Sequence, residues 1–321
     1  MTALLFERDK VDEVDDWASS LSQLGRSSIL WIDLERPDES EVRALAEELE
    51  LSAQSTDRLG GRCDERPYFG DFESYLHITA HAPRESGEHY ELERIECLFS
   101  KRWVVTVHAR PLEVIETFRE RATGSGETGK LEGPEFLANI LEWVLGSYLD
   151  AFEGIELTLE EMDERVMQGS LSGQEAELGR LVDLRREIGR LRRALVSHRE
   201  MFLALARPEL DAISSSSSGE RFCSLQARLE EVVQAARDSR DSVVGSFDVL
   251  IARTEQRTNE IVKVLTLASM LLLPGALIAG VLGMNFKVGL FETAAYFWVA
   301  IAGIIGIAAA TLVAARARRW I

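Results

Sequence analysis

Residues 264–286 run for 23 positions without a charge. As a helix, such a run extends roughly 35 Å at about 1.5 Å per residue, enough for a bilayer core of about 30 Å. A second uncharged run of the same length, Thr293–Ala315, follows after only six residues, Lys287 to Glu292. Two apolar helices so closely connected make a transmembrane hairpin at the C-terminal end of an otherwise polar chain. About 260 residues precede it, room for one or two soluble domains.

The basic residues orient the hairpin. Arg253, Arg257 and Lys263 precede the first run, Arg316, Arg318 and Arg319 follow the second, and the connection has only Lys287. The positive-inside rule then puts both termini in the cytoplasm and the short loop outside, in a multi-pass protein of the inner (plasma) membrane. The N-terminal residues Met1–Asp9 turn acidic before an apolar segment can form, so no secretory signal is read there. A net charge of −18 argues against a nucleic-acid partner and against a general binder of anionic membranes, and suits a protein that concentrates cations, although most of its carboxylates read as solvated surface. Cys63, Cys97 and Cys223 lie far apart and suggest neither a disulfide framework nor a CxxC metal site.

Taken in order, Ser28–Leu34 alternates like a strand. Arg36-Pro37-Asp38 breaks it and offers a helix start, with Val42, Leu45, Ala46 and Leu49 at helical spacing. Tyr75–His81, Leu92–Phe99 and Trp103–His108 read as further strands, the first two joined by a hairpin at Gly87. Pro111 opens a helix with Leu112, Ile115 and Phe118. Residues 123–129 form a Gly-rich break. A long helix from Pro134 carries Phe136, Ile140, Val144, Tyr148, Phe152, Ile155 and Leu159, and a second runs from Gln174 to Ala206. Arg207-Pro208 and Ser214–Gly219 mark a loop, and the serine run reads as a linker. From Arg221 the simplest reading is one very long helix entering the membrane, with Pro274 inside it. The expected organisation is a cytoplasmic α/β domain at 1–122, a long-helix region at 123–220 and a stalk continuing into the first span at 221–286. The external loop is 287–292, and the second span with its basic tail is 293–321. The fold class is α+β with long helices, followed by the hairpin.

The stretch Asn259–Thr266, then Leu273-Pro274, Leu277–Gly280 and Gly283-Met284-Asn285, resembles the CorA family of divalent-cation transport proteins, in the CorA/ZntB superfamily. A lone Gly-Met-Asn is weak; at the end of the first of two C-terminal spans it is specific. Trp31-Ile32-Asp33 and Val104–His108 resemble that family's cytoplasmic domain. The resemblance implies a funnel-shaped homopentamer in a lipid bilayer, no cofactor, and Mg²⁺ as cargo with Co²⁺ and Ni²⁺ beside it. It also implies that Asn285, with Gly283 and Met284, forms the entry filter and meets the ion through its hydration waters. Mg²⁺ dehydrates reluctantly, so oxygens that hydrogen-bond its water shell suit such a mouth.

One hairpin cannot enclose a path, so transport requires several copies around an axis. Steps of three and four back from Gly283 give Gly280, Ala276, Leu273, Ser269, Thr266, Val262 and Asn259, an uncharged stripe that would face the axis. Leu273 would form an apolar ring that gates by dewetting. Small residues on such a stripe also serve plain helix packing. Two features depart from the family pattern. Lys287 sits beside the mouth and would repel cations unless it points away or pairs with Glu292. The early stalk, Arg221–Ser224, lacks the aspartate that many magnesium members carry there. A ZntB-like, proton-coupled zinc transporter therefore stays open as an alternative, and a membrane-anchored scaffold or signalling protein as a distant one.

Other constellations carry less. His77 and His81 have HxxxH spacing, but on a strand their side chains are about 13 Å apart, too far for one ion. A site joining His81 to His89 across the hairpin is the remaining metal reading. His108 reads as structural, and Glu160–Glu164 as a solvated helix face or a weak cation reservoir. No Ser-His-Asp order, P-loop or Rossmann fingerprint occurs, so no enzyme is indicated.

Overall fold

A computed structural model describes residues 1–7, 10–25, 28–61, 66–87, 89–113, 115–117, 119–120, 133–168, 174–207, 216–284 and 294–317. The chain divides into two compact units, Met1–Phe247 and Asp248–Ile321.

The first unit is built on a mixed sheet. Its strands are β1 (Thr2–Glu7), β2 (Lys10–Glu13), β3 (Ile29–Glu35), β4 (Tyr68–Phe72), β5 (Tyr75–Ser86), β6 (His89–Phe99) and β7 (Trp103–His108). Their order is β2-β1-β3-β7-β6-β5-β4. The β3–β7 pair is parallel and the others antiparallel. β5 and β6 are longer than the sequence indicated, and they turn at Gly87, whose φ of +67° suits a residue without Cβ. Every residue of β3 from Ile29 to Leu34 is buried, as befits a central strand covered on both faces. Helices α1 (Trp17–Ser22), α2 (Glu39–Glu48) and α3 (Ala53–Leu59) bring Trp17, Val42, Leu45, Leu49 and Leu59 against Leu30, Ile32, Leu34, Leu98, Val105 and Val107. α2 starts where the Arg36-Pro37-Asp38 break implies. Asp38 Oδ1 accepts the Ser40 and Glu41 N–H groups at 2.8 Å, and Glu41 Oε2 accepts the Asp38 N–H at 3.0 Å, a complete capping box. After Pro111, residues 113, 115–117, 119 and 120 are helical and Leu112 and Ile115 are buried; Phe118 lies outside the described residues.

Long helices complete this unit. α4 (Gly133–Met167) lies across β5, β6 and β7. Its stripe of Ile140, Val144, Tyr148, Phe152, Ile155 and Leu159 is buried, while the Phe136 side chain lies outside the described residues. The second helix does not run unbroken from Gln174 to Ala206. It divides into α5 (Gln174–Ser197) and α6 (Arg199–Leu205) at His198, whose N–H tightens onto the Leu195 carbonyl at 3.1 Å. The His198 ring is buried. Its Nδ1 meets the Ala194 carbonyl at 2.7 Å, and its Nε2 accepts the His81 backbone N–H at 2.8 Å. A carbonyl can only accept and an amide N–H only donate, so the ring is the neutral Nδ1–H tautomer. Burial, and then the neighbouring His81, push its pKa down to about 4.

α7 runs without interruption from Ser216 to Leu282 with Pro274 inside it, so Ser216–Gly219 belong to the helix and not to the loop read from the sequence. Phe222, Leu225, Leu229, Val232, Ala236, Ser239, Val243 and Ser246 are all buried, at the alternating three- and four-residue steps of coiled-coil packing. Ser239 Oγ donates to Glu156 Oε1 at 2.9 Å and Ser246 Oγ to Asp163 Oδ2 at 3.0 Å, each pair 83 residues apart. A constant offset one heptad apart means that α4 and α7 run parallel. The acidic run at 160–164 is thus only partly a solvent face: Asp163 serves α7 and Met162 is buried, while Glu160, Glu161 and Glu164 are exposed.

The second unit holds the end of α7 and α8 (Ala294–Ala317). Both helices are long and apolar enough to cross a membrane, and their most apolar windows are not buried within the chain.

Candidate functional site

The two apolar helices approach each other closely at Gly275, where an added Cβ would stand 3.3 Å from Ile304 Cγ2. Around it, Leu267, Leu271, Pro274 and Ile278 of α7 are half-buried, as are Ile301, Ile304, Ala308 and Thr311 of α8. The stripe inferred from the sequence lies elsewhere on α7. At 100° per residue, Asn259, Val262, Thr266, Ser269, Leu273, Ala276, Gly280 and Gly283 centre roughly 160° away from the half-buried positions. Val262 is 51% and Leu273 67% exposed, Thr266 is half-buried, and the rest are exposed. One face of the helix therefore takes α8, and the opposite face has no cover among the described residues.

The stripe's hydroxyls have a defined polarity. Thr266 Oγ1 donates to the Val262 carbonyl at 2.7 Å and Ser269 Oγ to the Leu265 carbonyl at 2.9 Å. Their protons are engaged, so each offers only acceptor lone pairs outward. A hydrated cation presents water protons and needs acceptors. At the far end, the Gly283 N–H still reaches the Ala279 carbonyl at 2.9 Å, and the Met284 N–H reaches Val281 at 3.3 Å. Asn285, Lys287 and Glu292 lie outside the described residues.

In the first unit the structure assembles two buried polar clusters. Asp33 accepts from Thr106 Oγ1, itself bonded by Trp31 Nε1 at 3.0 Å, and pairs with Arg119. His108 Nε2 stands 3.3 Å from the same carboxylate, and its Nδ1 lies 2.7 Å from the Arg110 carbonyl. Burial opposes the charge on Asp33, but His108, Thr106 and Arg119 together hold its pKa below the ordinary value. Burial likewise opposes charging His108, and Asp33 outweighs it, so that pKa is raised. This places the Trp31-Ile32-Asp33 and Val104–His108 segments in one structural network, with His108 structural as the sequence suggested.

The other cluster was not legible. Ser55 Oγ lies 3.0 Å from His77 Nδ1, and His77 Nε2 lies 2.8 Å from Glu96 Oε2, which also accepts from Thr79 Oγ1 at 2.7 Å. The chemistry is that of a Ser-His-carboxylate relay. Yet Ser55 and His77 are wholly buried and Glu96 is 2% exposed, so no substrate reaches the hydroxyl. Burial opposes ionising Glu96, and His77, Arg94 and Thr79 overcome it. The cluster ties α3 to the sheet. His77 and His81 both lie on β5 as expected. His81 faces Arg94 across the ladder and His89 faces Ser86, so the hairpin does not join His81 to His89; His89 Nδ1 instead approaches Glu187 at 3.5 Å. Among the described residues no group of three or more His, Cys, Asp or Glu is arranged to hold a metal.

The CorA-like Mg2+ transporter protein family matches residues 26–316. The chain belongs to that family. CorA-family members are ion transporters and not enzymes, which agrees with the sealed Ser55–His77–Glu96 cluster. The cobalt/magnesium transport protein CorA of Thermotoga maritima is 24% identical over 226 residues, 70% of this chain and 63% of that protein. The complete CorA magnesium transporter structure from Methanocaldococcus jannaschii is similar over 100% of this chain and 99% of its own, with a TM-score of 0.77 and 19% identity. The ZntB cytoplasmic domain from Vibrio parahaemolyticus shares the fold over 80% of this chain and 98% of its own, with a TM-score of 0.56 and 16% identity.

Proposed function

We propose that several copies of this CorA-family chain, five by family resemblance, surround an axis and admit Mg²⁺ down its electrochemical gradient, with Co²⁺ and Ni²⁺ as further cargo. The stripe from Asn259 to Gly283 lines the path, Leu273 forms its apolar waist, and Asn285 holds the hydrated ion at the outer mouth. Residues 1–122 and 123–220 form the cytoplasmic funnel, 221–286 the stalk and first span, 287–292 the external loop, and 293–321 the second span with a cytoplasmic tail in the inner membrane. The observation that carries this reading is the uncovered face of α7. Its residues are uncharged, its hydroxyls are oriented as acceptors, and it lies opposite the face that takes α8. A plain anchor has no use for such a face.

One observation favours a second reading, a proton-coupled zinc transporter of the ZntB kind. The early stalk is Arg221-Phe222-Cys223-Ser224, and Ser224 is exposed there without a carboxylate. Uptake into proteoliposomes tests both. Fluorescent-dye uptake of Mg²⁺, Zn²⁺ and Co²⁺ in competition, with and without a pH gradient, should give Mg²⁺ influx insensitive to the gradient. Zn²⁺ influx driven by protons would replace the first reading by the second, and no influx of any ion would remove both.

A further inference from the structure

The hairpin contains a groove that the stripe does not use. It is a cavity of about 380 Å³ between α7 and α8, walled by Leu267 and Met270 on one helix and by Ile307, Ala310, Thr311 and Ala314 on the other. That volume falls within the roughly 300–1,000 Å³ of small-molecule sites. Thr311 Oγ1 is turned onto the Ile307 carbonyl at 2.8 Å, which leaves the wall without a free side-chain donor. Met270 and Ile307 remain 49% and 40% exposed, so the groove opens outward.

Its cytoplasmic end is charged. Lys263 stands one helical turn before Leu267, and at 100° per residue Lys263, Leu267 and Met270 fall within about 60° of one another. Among the described residues the Lys263 ammonium makes no ion pair. The nearest acid along the helix on that side, Glu260, accepts from Gln256 Nε2 at 3.3 Å.

We propose that this groove seats one acyl chain of an anionic phospholipid from the cytoplasmic leaflet, with the lipid phosphate resting on Lys263. The proposal rests on the reading above that the hairpin spans a bilayer with both ends cytoplasmic. Charge complementarity decides the occupant. An apolar channel that ends at an unpaired cation matches a molecule with an apolar chain and an anionic head. In a ring the contacts between copies are heterologous, so a neighbouring copy would meet the groove with a different face, and that occupant is an outcome of the test. A zwitterionic lipid fills the channel but brings no net charge to the ammonium.

Full-length protein, delipidated in detergent, can be titrated with phosphatidylglycerol and with phosphatidylcholine of the same acyl chains, and bound lipid counted by native mass spectrometry. The wild type should prefer phosphatidylglycerol, and Lys263→Gln should cut that preference roughly fivefold while leaving phosphatidylcholine binding as it was. Ala314→Leu, which fills the channel, should lower binding of both lipids at unchanged oligomeric mass. Equal binding of the two lipids by the wild type, or indifference to Lys263→Gln, overturns the proposal. So does a fall in oligomeric mass in Ala314→Leu with lipid binding intact, which would assign the groove to a neighbouring copy. Lys263→Gln is an exposed change and keeps the test decisive if Ala314→Leu does not fold. Cation uptake by the same preparations separates the two readings. Protein that transports but binds lipid without preference sinks only the groove; protein that prefers phosphatidylglycerol as stated but moves no cation sinks only transport.

Discussion

Two stretches of the single helix α7 carry the same alternation of three- and four-residue steps and meet opposite fates. From Phe222 to Ser246 the stripe is buried inside its own unit, and even its serines are satisfied by Glu156 and Asp163 of α4. From Asn259 to Gly283 the stripe is uncovered, and its two hydroxyls turn back onto the helix. The same periodicity thus serves packing within a chain in one stretch and, in our reading, packing between copies around a path in the other. What differs is the partner. The first stretch can be understood from one chain, whereas the second, in our reading, needs further copies.

The comparison can be broken by substitution. The largest effect is expected at the mouth. Asn285→Ala should abolish cation uptake while the purified oligomer keeps its mass; a variant that transports at the wild-type rate would mean that the filter lies elsewhere. Next comes the covered stretch. Leu229 is fully buried, so Leu229→Ala should cost about 2–5 kcal/mol of stability, read as a lower midpoint in thermal unfolding. In the uncovered stretch, Leu273→Ser should leave the unfolding midpoint of the covered unit where it was and instead raise the resting leak. If the two variants exchanged phenotypes, the assignment of the two stretches would be reversed.

A smaller effect sharpens the account of the covered unit. The His198 pKa lies near 4 in the fold against an ordinary 6.5. Between those values the unfolded chain binds the proton and the folded one does not, so stability falls as pH drops from about 6.5 toward 4 and levels off below. The slope is at most about 1.4 kcal/mol per pH unit for one proton. Asp33 and Glu96, whose pKa values are lowered, lose their contribution only further down the acid range. Melting temperatures from pH 7 to 4 should therefore fall less steeply in His198→Gln than in the wild type. Parallel curves would show that His198 is not the group responsible.

Much of this was readable in the residues. The charge-free runs at 264–286 and 293–315, the strands around Trp31 and Val105, the turn at Gly87 and the continuity of α7 through Pro274 follow from local pattern, because hydrophobic period, turn chemistry and span length are properties of neighbouring residues. β1, β2 and β4 did not declare themselves. β2 and β4 are short strands at the two opposite edges of the sheet, and β1 lies between β2 and β3; their pairing with partners such as Ile29–Asp33 and Tyr75–Thr79 is set by the sheet. The break at His198 was hidden for a related reason. It depends on the His81 backbone N–H, 117 residues away in sequence. The Ser55–His77–Glu96 cluster likewise joins a helix to two strands through contacts that no spacing encodes. By itself, then, the sequence determined that the chain carries two stretches long and apolar enough to cross a membrane and which stripe of α7 is uncharged. Only the tertiary structure decided which stripe α4 covers, which face takes α8 and which remains open, because burial depends on what folds back onto a helix as well as on the helix itself.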